Sequence, residues 1–242
     1  MLTVTNLSRS FKGVRAVSDV SFEARDGQIT GLLGSNGAGK TTTLRMICGL
    51  IVPDGGGVRV GEWDVARAKI QARMEIGMLP DSRGLYPRLT GRENVEYFGN
   101  LRGLSSAEVT SRLRPITEEL QMEELLDRKV EGFSQGERAK IAFSRAIIHQ
   151  PRHVLLDEPT NGLDVMSTRA MRRLIRRLRA EGKCVVFSSH IMQEVSALCD
   201  VIVIISHGEV VARGTEEELL AMTKTTTLED AFVALSVKEE KA

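Results

Sequence analysis

Cysteine is scarce and unpatterned in this chain. Cys48, Cys184 and Cys199 are odd in number, widely spaced and without any Cys-x-x-Cys or nearby histidine pair, so neither a disulfide framework nor a zinc site is indicated. A reducing cytosol is the expected setting. Long apolar runs are missing as well: the longest unbroken aliphatic stretch, Val201 to Ile205, falls far short of a bilayer span, and the N-terminus lacks the basic and apolar regions of a signal peptide. Any membrane role is expected to come through another protein. Nor is there an excess of either charge, with 33 Lys plus Arg against 32 Asp plus Glu. That balance removes the electrostatic ground for nucleic acid as the main partner.

What is present is enough for a full core: 242 residues, 42% of them hydrophobic. Residues 34 to 41 read Gly34-Ser35-Asn36-Gly37-Ala38-Gly39-Lys40-Thr41, between an apolar strand, Ile29 to Leu33, and a helix-forming run from Lys40 to about Leu50. The glycines let successive N–H groups turn inward, and the helix behind points its positive dipole end at the same spot. This is a phosphate loop, hence a nucleoside-triphosphate binder. Lys40 is placed to reach the β- and γ-phosphates, and Thr41 to offer its hydroxyl to a magnesium ion bridging them.

The remaining pattern predicts an α/β fold with a doubly wound, mainly parallel sheet. Alternating apolar positions over the first thirty residues (Leu2, Val4, Leu7, Val17, Val20, Phe22) predict an antiparallel β portion ahead of the loop. Pro53 and Gly55 to Gly57 read as a turn, with a strand resuming at Val58 to Val60. From Ser82 to Phe133 apolar residues recur at helical spacing, and Ser105, Ser106 and Glu108 suggest a helix cap there. His153 to Leu156, Cys184 to Ser188 and Val201 to Ile205 look like buried parallel strands. A last short helix is expected at Leu228 to Leu235. The chain thus reads as one domain: core with β subdomain over about 1–81 and 150–220, a helical subdomain at 82–149, and a C-terminal helix within 221–242.

Val154 to Leu156 end in Asp157 and Glu158, two carboxylates at the carboxyl end of a buried strand, where open α/β sheets place ligands. The first acid suits a metal shell; the second suits orienting water and taking its proton. Phe133-Ser134-Gln135-Gly136-Glu137 opens another helix, Arg138 to His149, and makes a second anion site. One triphosphate cannot easily use both helix starts, so Ser134 and Gly136 are expected to serve a nucleotide on another copy.

The set Gly34 to Thr41, Phe133 to Glu137, Val154 to Glu158, Asn161-Gly162-Leu163-Asp164 and Ser188-Ser189-His190 resembles the nucleotide-binding domain of ABC transporters, in order and spacing, over nearly the whole chain. The resemblance implies a P-loop ATPase that pairs head to tail with a second copy or a similar subunit, closing over two ATP molecules with Mg²⁺. It places Phe11 on the adenine, with Val17 beside it, and Gly34, Ser35, Asn36, Gly37, Ala38, Gly39, Lys40, Thr41 and Thr42 around the phosphates. It assigns Glu158 and His190 to catalysis and Thr41, Asp157 and Asp81 to the metal. Ser134, Gln135, Gly136 and Glu137 would meet the partner's ATP, while Asn161, Gly162, Leu163 and Asp164 would communicate between the sites. Three departures stand out: Asp81 replaces the usual glutamine, Gln135 and Glu137 replace signature residues, and Phe11 replaces the commoner tyrosine.

With no span of its own, such a cassette implies separate permease subunits at the cytoplasmic face of the plasma membrane. Ser82 to Thr90 is the candidate contact. Leu79 to Thr90 and Thr227 to Phe232 are similar to exporter ATPase subunits, particularly the sodium-extrusion and drug-resistance groups. The arginines between Arg169 and Arg179 form a basic helix face, read as solvated rather than as a nucleic-acid or lipid contact. The stretch from Lys40 to Ser134 is too short for the coiled coils of chromosome-acting relatives, and a small-molecule kinase would leave Ser134 to Glu137 and His190 unused.

Overall fold

The structure is a computed structural model and describes residues 1–237. One ten-stranded mixed sheet runs through it. In chain order the strands are β1 (Leu2–Phe11), β2 (Val14–Ala24), β3 (Ile29–Leu33), β4 (Gly55–Val60), β5 (Trp63–Asp64), β6 (Ile76–Leu79), β7 (His153–Asp157), β8 (Cys184–Ser189), β9 (Val201–Ser206) and β10 (Glu209–Gly214). They lie side by side as β5-β4-β1-β2-β10-β9-β3-β8-β7-β6. From β9 to β6 neighbours are parallel; β1, β2, β4 and β5 pair antiparallel, and β10 joins the two regions.

The parallel strands are buried on both faces, and their side chains divide with the two-residue period of the pleat. Ile29, Leu33, Val154, Leu156, Val185 and Phe187 face the larger apolar cluster. Leu32, Leu155, Val186 and Val203 face the other, shared with Leu44 and Ile47 of α1 (Lys40–Ile47) and with β1 and β2. The larger cluster continues without a break into α3 (Gly91–Leu101), α4 (Ser106–Leu120) and α5 (Gln135–Ile147) through Val95, Leu113, Ile141 and Phe143. The helical lobe therefore has no core of its own.

Local chemistry sets the boundaries. Thr90 with Glu93 and Ser105 with Glu108 form reciprocal capping boxes that start α3 and α4. Ser134 and Glu137 do the same for α5, so that helix begins at Gln135, three residues before the expected Arg138. Gly49 in the left-handed region stops α1 before the expected Leu50. Gly55 to Gly57 are strand rather than turn. They pair with β1, and a Cβ on Gly56 would stand 2.2 Å from the Asn6 carbonyl oxygen, so the missing side chain is what admits the neighbour. α2 (Lys69–Met74), β10 and α8 (Glu216–Thr223) had no counterpart in the sequence reading. The β9–β10 hairpin turns on His207 and Gly208, both at positive φ, the geometry that suits a twisted hairpin. α6 (Val165–Ala180), α7 (Met192–Leu198) and α9 (Leu228–Val237) complete the fold.

Gly77 in β6 is a close-approach position: an added Cβ would lie 2.2 Å from the Ala146 carbonyl oxygen and 2.6 Å from Pro151. Gly77→Ala is expected to cost about 1–3 kcal/mol through forced backbone shifts, read as a lower urea midpoint at unchanged m-value. An unchanged midpoint would contradict this packing.

Candidate active site

Strand β3 ends at the phosphate loop. Gly34 must be glycine because a Cβ there would meet the Ile205 carbonyl oxygen at 2.5 Å, and Gly39, at φ 103, would meet that of Ala16 at 2.6 Å. Ser35, Asn36 and Gly37 form the exposed tip, while Lys40 is buried. Its ammonium donates to the carbonyls of Gly34 (2.7 Å) and Ser35 (3.1 Å) and stands 3.7 Å from Glu158 Oε1. The loop thus holds its lysine in place before any anion arrives. Burial pushes the Lys40 pKa down, and Glu158 and Asp157 oppose that shift.

Beside it stand the β7 carboxylates. Asp157 is buried; its Oδ1 accepts from Thr41 Oγ1 (3.1 Å) and Ser188 Oγ (2.6 Å). Its Oδ2 is buried with no hydrogen-bond partner among the described residues. An orphaned carboxylate oxygen next to a phosphate loop fits a hard cation's donor set. Glu158 is a non-glycine residue at φ 48, a conformation costing on the order of 1–3 kcal/mol, held by its N–H on the Ser188 carbonyl (3.3 Å) and hydroxyl (3.1 Å). That twist turns its side chain away from the strand. Both Glu158 carboxylate oxygens lie 3.0 Å from His190 Nδ1.

One 710 Å³ pocket gathers Asn36 to Thr42, Asp81, Glu158, Asn161 and His190, together with Ala16. Phe11 does not line it. That ring is exposed at the far end of β1 and carries the Arg9 guanidinium 5.0 Å from its centroid. Val17 requires a correction: it is fully buried beneath the loop, where it supports Gly39 and cannot flank a base. Sequence reasoning passed over Ala16 and gave Ser188, though part of the Ser188-Ser189-His190 motif, no role of its own. Ser188 was legible as the strand residue two before His190, but only the register Asp157↔Ser188 shows that it serves the neighbouring strand.

Ser134 and Gln135 are exposed, and the start of α5 does not line the pocket. Ser134 Oγ accepts from the Glu137 N–H (3.2 Å), which leaves its O–H free to donate outward; the Gln135 and Gly136 amides have no intrahelical acceptor. Glu137 is turned to its own chain, accepting from the Ser134 N–H (2.7 Å) and Arg128 (3.0 Å). Those bonds, led by the Ser134 amide, hold its carboxyl below the usual range. Gln135 lies against Gly162, and Gly136 faces Leu163, Asp164 and Ser167. Asp164 caps α6 through the Ser167 N–H (2.9 Å). The helix start and the loop 161–164 therefore form one packed unit.

The family model described as ABC transporter matches residues 17–161. The chain belongs to the ABC transporter family. It is 42% identical over 243 residues to the ABC transporter ATP-binding protein NatA of Bacillus subtilis (strain 168), covering 98% of this chain and 99% of that protein. Against the lipopolysaccharide export system ATP-binding protein LptB of Escherichia coli (strain K12) it is 36% identical over 222 residues, covering 90% and 92%. A solved structure of the ATP-binding subunit of an ABC transporter superposes with a TM-score of 0.90 at 30% identity, covering 97% of this chain and 99% of that one. The chain is thus an ABC-type ATPase, and no helix among the described residues is long and apolar enough to cross a membrane.

In this ABC cassette, the buried Lys40 is a cation lining the phosphate-loop pocket. Lys40→Ala is expected to weaken binding of a fluorescent ATP analogue by about tenfold or more, the loss of one charge-assisted contact worth roughly 1.5–3 kcal/mol. Unchanged affinity would contradict the role given to Lys40.

Proposed function

We propose that this chain is the ATP-hydrolysing subunit of a membrane exporter, with Glu158 as general base. The observation that carries the reading is the constellation of Lys40, Glu158 and His190 around one pocket, beside the unsatisfied oxygen of Asp157. The loop amides and Lys40 bind the phosphates. Thr41, Asp157 and Asp81 are the residues that would hold Mg²⁺, which when bound supplies charge neutralisation on the β- and γ-oxygens. Glu158 takes the proton of the attacking water as the water oxygen bonds to the γ-phosphorus; the β–γ bridging oxygen leaves with the bond's electron pair as ADP. His190 Nδ1 fixes the Glu158 carboxylate, which leaves its Nε2 to meet the γ-phosphate. Asn161, exposed on the pocket wall, passes the state of the site to the loop packed against α5.

Half of the site is missing from one chain. The exposed Ser134 hydroxyl and the Gln135 and Gly136 amides do not line the chain's own pocket, which favours a second copy placed head to tail, each covering the other's γ-phosphate. On this reading Glu137 acts as the cap that presents Ser134, and Phe11 approaches adenine only when the nucleotide is bound.

The permease docks in the cleft between the sheet and the helical lobe. A 440 Å³ groove there is lined by Leu50, Arg73, Phe98, Arg102, Arg145 and His149, among others. Burial and the nearby Arg102 push the His149 pKa down to about 4, so at neutral pH the groove's charge comes from its arginines. Among the described residues none of the three arginines is paired with a carboxylate; they hold backbone carbonyls instead. A cytoplasmic permease helix with an acidic residue and an apolar face suits that lining. Nucleic acid is disfavoured: Arg172, Arg177 and Arg179 of α6 are in ion pairs and Arg176 holds a carbonyl within the chain. Sodium is the cargo this reading assigns, on the similarity of residues 79–90 and 227–232 to sodium-extrusion subunits; the export named for LptB shows how widely the family's cargo varies.

Glu158→Gln is expected to bind ATP, to elute as a dimer with it, and to hydrolyse it about 10²–10⁴-fold more slowly. The same substitution should stop sodium movement into inverted vesicles carrying the permease. Turnover near that of the parent would remove Glu158 as the base, and sodium-independent transport would remove sodium as the cargo.

A further inference from the structure

The loop after β6 carries a cation that the catalytic reading leaves unused. Arg83 is only 6% exposed, sits in the left-handed region at φ 58, and donates from Nη2 to the Glu158 carbonyl (3.2 Å). Its Nε and Nη1 are buried with no partner among the described residues. A buried guanidinium is costly unless its charge is answered, and here three acids answer it: Asp81, Asp157 and Glu158 pull its pKa up against the burial that lowers it. The backbone carrying it is itself clamped. Arg145 of α5 donates to the Arg83 carbonyl (2.7 Å) and the Gly84 carbonyl (2.5 Å), while stacked 4.6 Å from the Phe98 ring of α3.

These contacts form a continuous path from the helical lobe to the peptide of the base. α5 is capped by Ser134 and carries Arg145 in its last turn; Arg145 grips the loop; Arg83 on that loop grips Glu158. The Glu158 peptide needs such support because its own conformation is unfavourable. We infer that Arg83 is a positioning residue: held by Arg145, it pins the Glu158 peptide, so that movement of α5 and its lobe is converted into alignment or misalignment of the base. This deepens the function proposed above and rests on Glu158 being the base. The permease groove lies against the same Arg145 and Gly84, so an occupant there has direct mechanical access to the path.

The test uses the full-length chain and steady-state ATP hydrolysis. Arg83→Met, which keeps length and removes all donors, is expected to lower kcat by roughly 10–100-fold, the usual effect of an outer-shell partner, with KM and fluorescent-ATP affinity changed by less than about twofold. Arg83→Lys, which can still reach one carbonyl, should recover much of the rate and covers the case in which the Met variant does not fold. Arg145→Met should lower kcat in the same way, and the double variant should be no slower than the worse single one, since both cut one path. A kcat within about twofold of the parent for Arg83→Met, additive losses in the double variant, or a loss of ATP affinity matching the loss of rate would each overturn the inference. Glu158→Gln, run alongside, separates the two readings: if it stays active the base assignment fails, whereas an inactive Glu158→Gln beside a normal Arg83→Met removes Arg83 alone.

Discussion

The Ser188 side chain ties three elements into one site. It donates to Asp157 across the β7–β8 pair and accepts from the Glu158 N–H, while Thr41 at the head of α1 donates to the same Asp157 oxygen. A single carboxylate oxygen thereby fixes the strand end, the neighbouring strand and the phosphate-loop helix relative to one another. Without that side chain the left-handed peptide of Glu158 would keep only the Ser188 carbonyl as its acceptor. The register that brings Asp157 opposite Ser188 comes from apolar alternation along two buried strands, so hydrophobic patterning is what aims the polar chemistry.

Charge at the site is arranged in the same economical way. Lys40, Arg83, Asp157, Glu158 and His190 are brought close together: the two cations Lys40 and Arg83 are held by backbone carbonyls, Asp157 by the Thr41 and Ser188 hydroxyls, and Glu158 by His190. Such an arrangement needs little rearrangement when a polyanion enters, since the loop amides are oriented and the lysine is already gripped by Gly34 and Ser35. A buried carboxylate oxygen of Asp157 without a hydrogen-bond partner among the described residues is what favours a cation in the proposed site. The donors exposed at Ser134 are what favours a neighbour there in the proposed function.

Much of this was legible in the sequence because the ligand's chemistry imposes residue types at fixed spacing. The phosphate loop, the β7 carboxylates and the serine-headed α5 were read from such spacing, and the structure places residues 36–42 of the loop and Glu158 with Asp81 and His190 around one pocket, with Asp157 buried behind Thr41. What escaped depends on contacts that spacing does not encode. Val17 reads as a neighbour of the base, yet strand alternation buries it under Gly39. Gly55 to Gly57 look like a turn until the bulge at Asn6 requires a partner without side chains. β10 is short and follows a two-residue turn, and Arg83 resembles any loop arginine until Arg145, sixty-two positions away, is seen to hold it. The arginines of α6 read as a solvated face, yet Arg172, Arg177 and Arg179 form ion pairs within the chain, with partners that spacing along the helix does not reveal.

The central claim is that one chain supplies only half of a working ATP site. Its most direct test is the structure of the Glu158→Gln variant with ATP bound. The account predicts a head-to-tail dimer in which Ser134 Oγ of one protomer lies at hydrogen-bonding distance, about 2.5–3.0 Å, from a γ-phosphate oxygen held by the other protomer's Lys40. A closed nucleotide site within a single protomer, or a dimer with Ser134 remote from its neighbour's ATP, would contradict it.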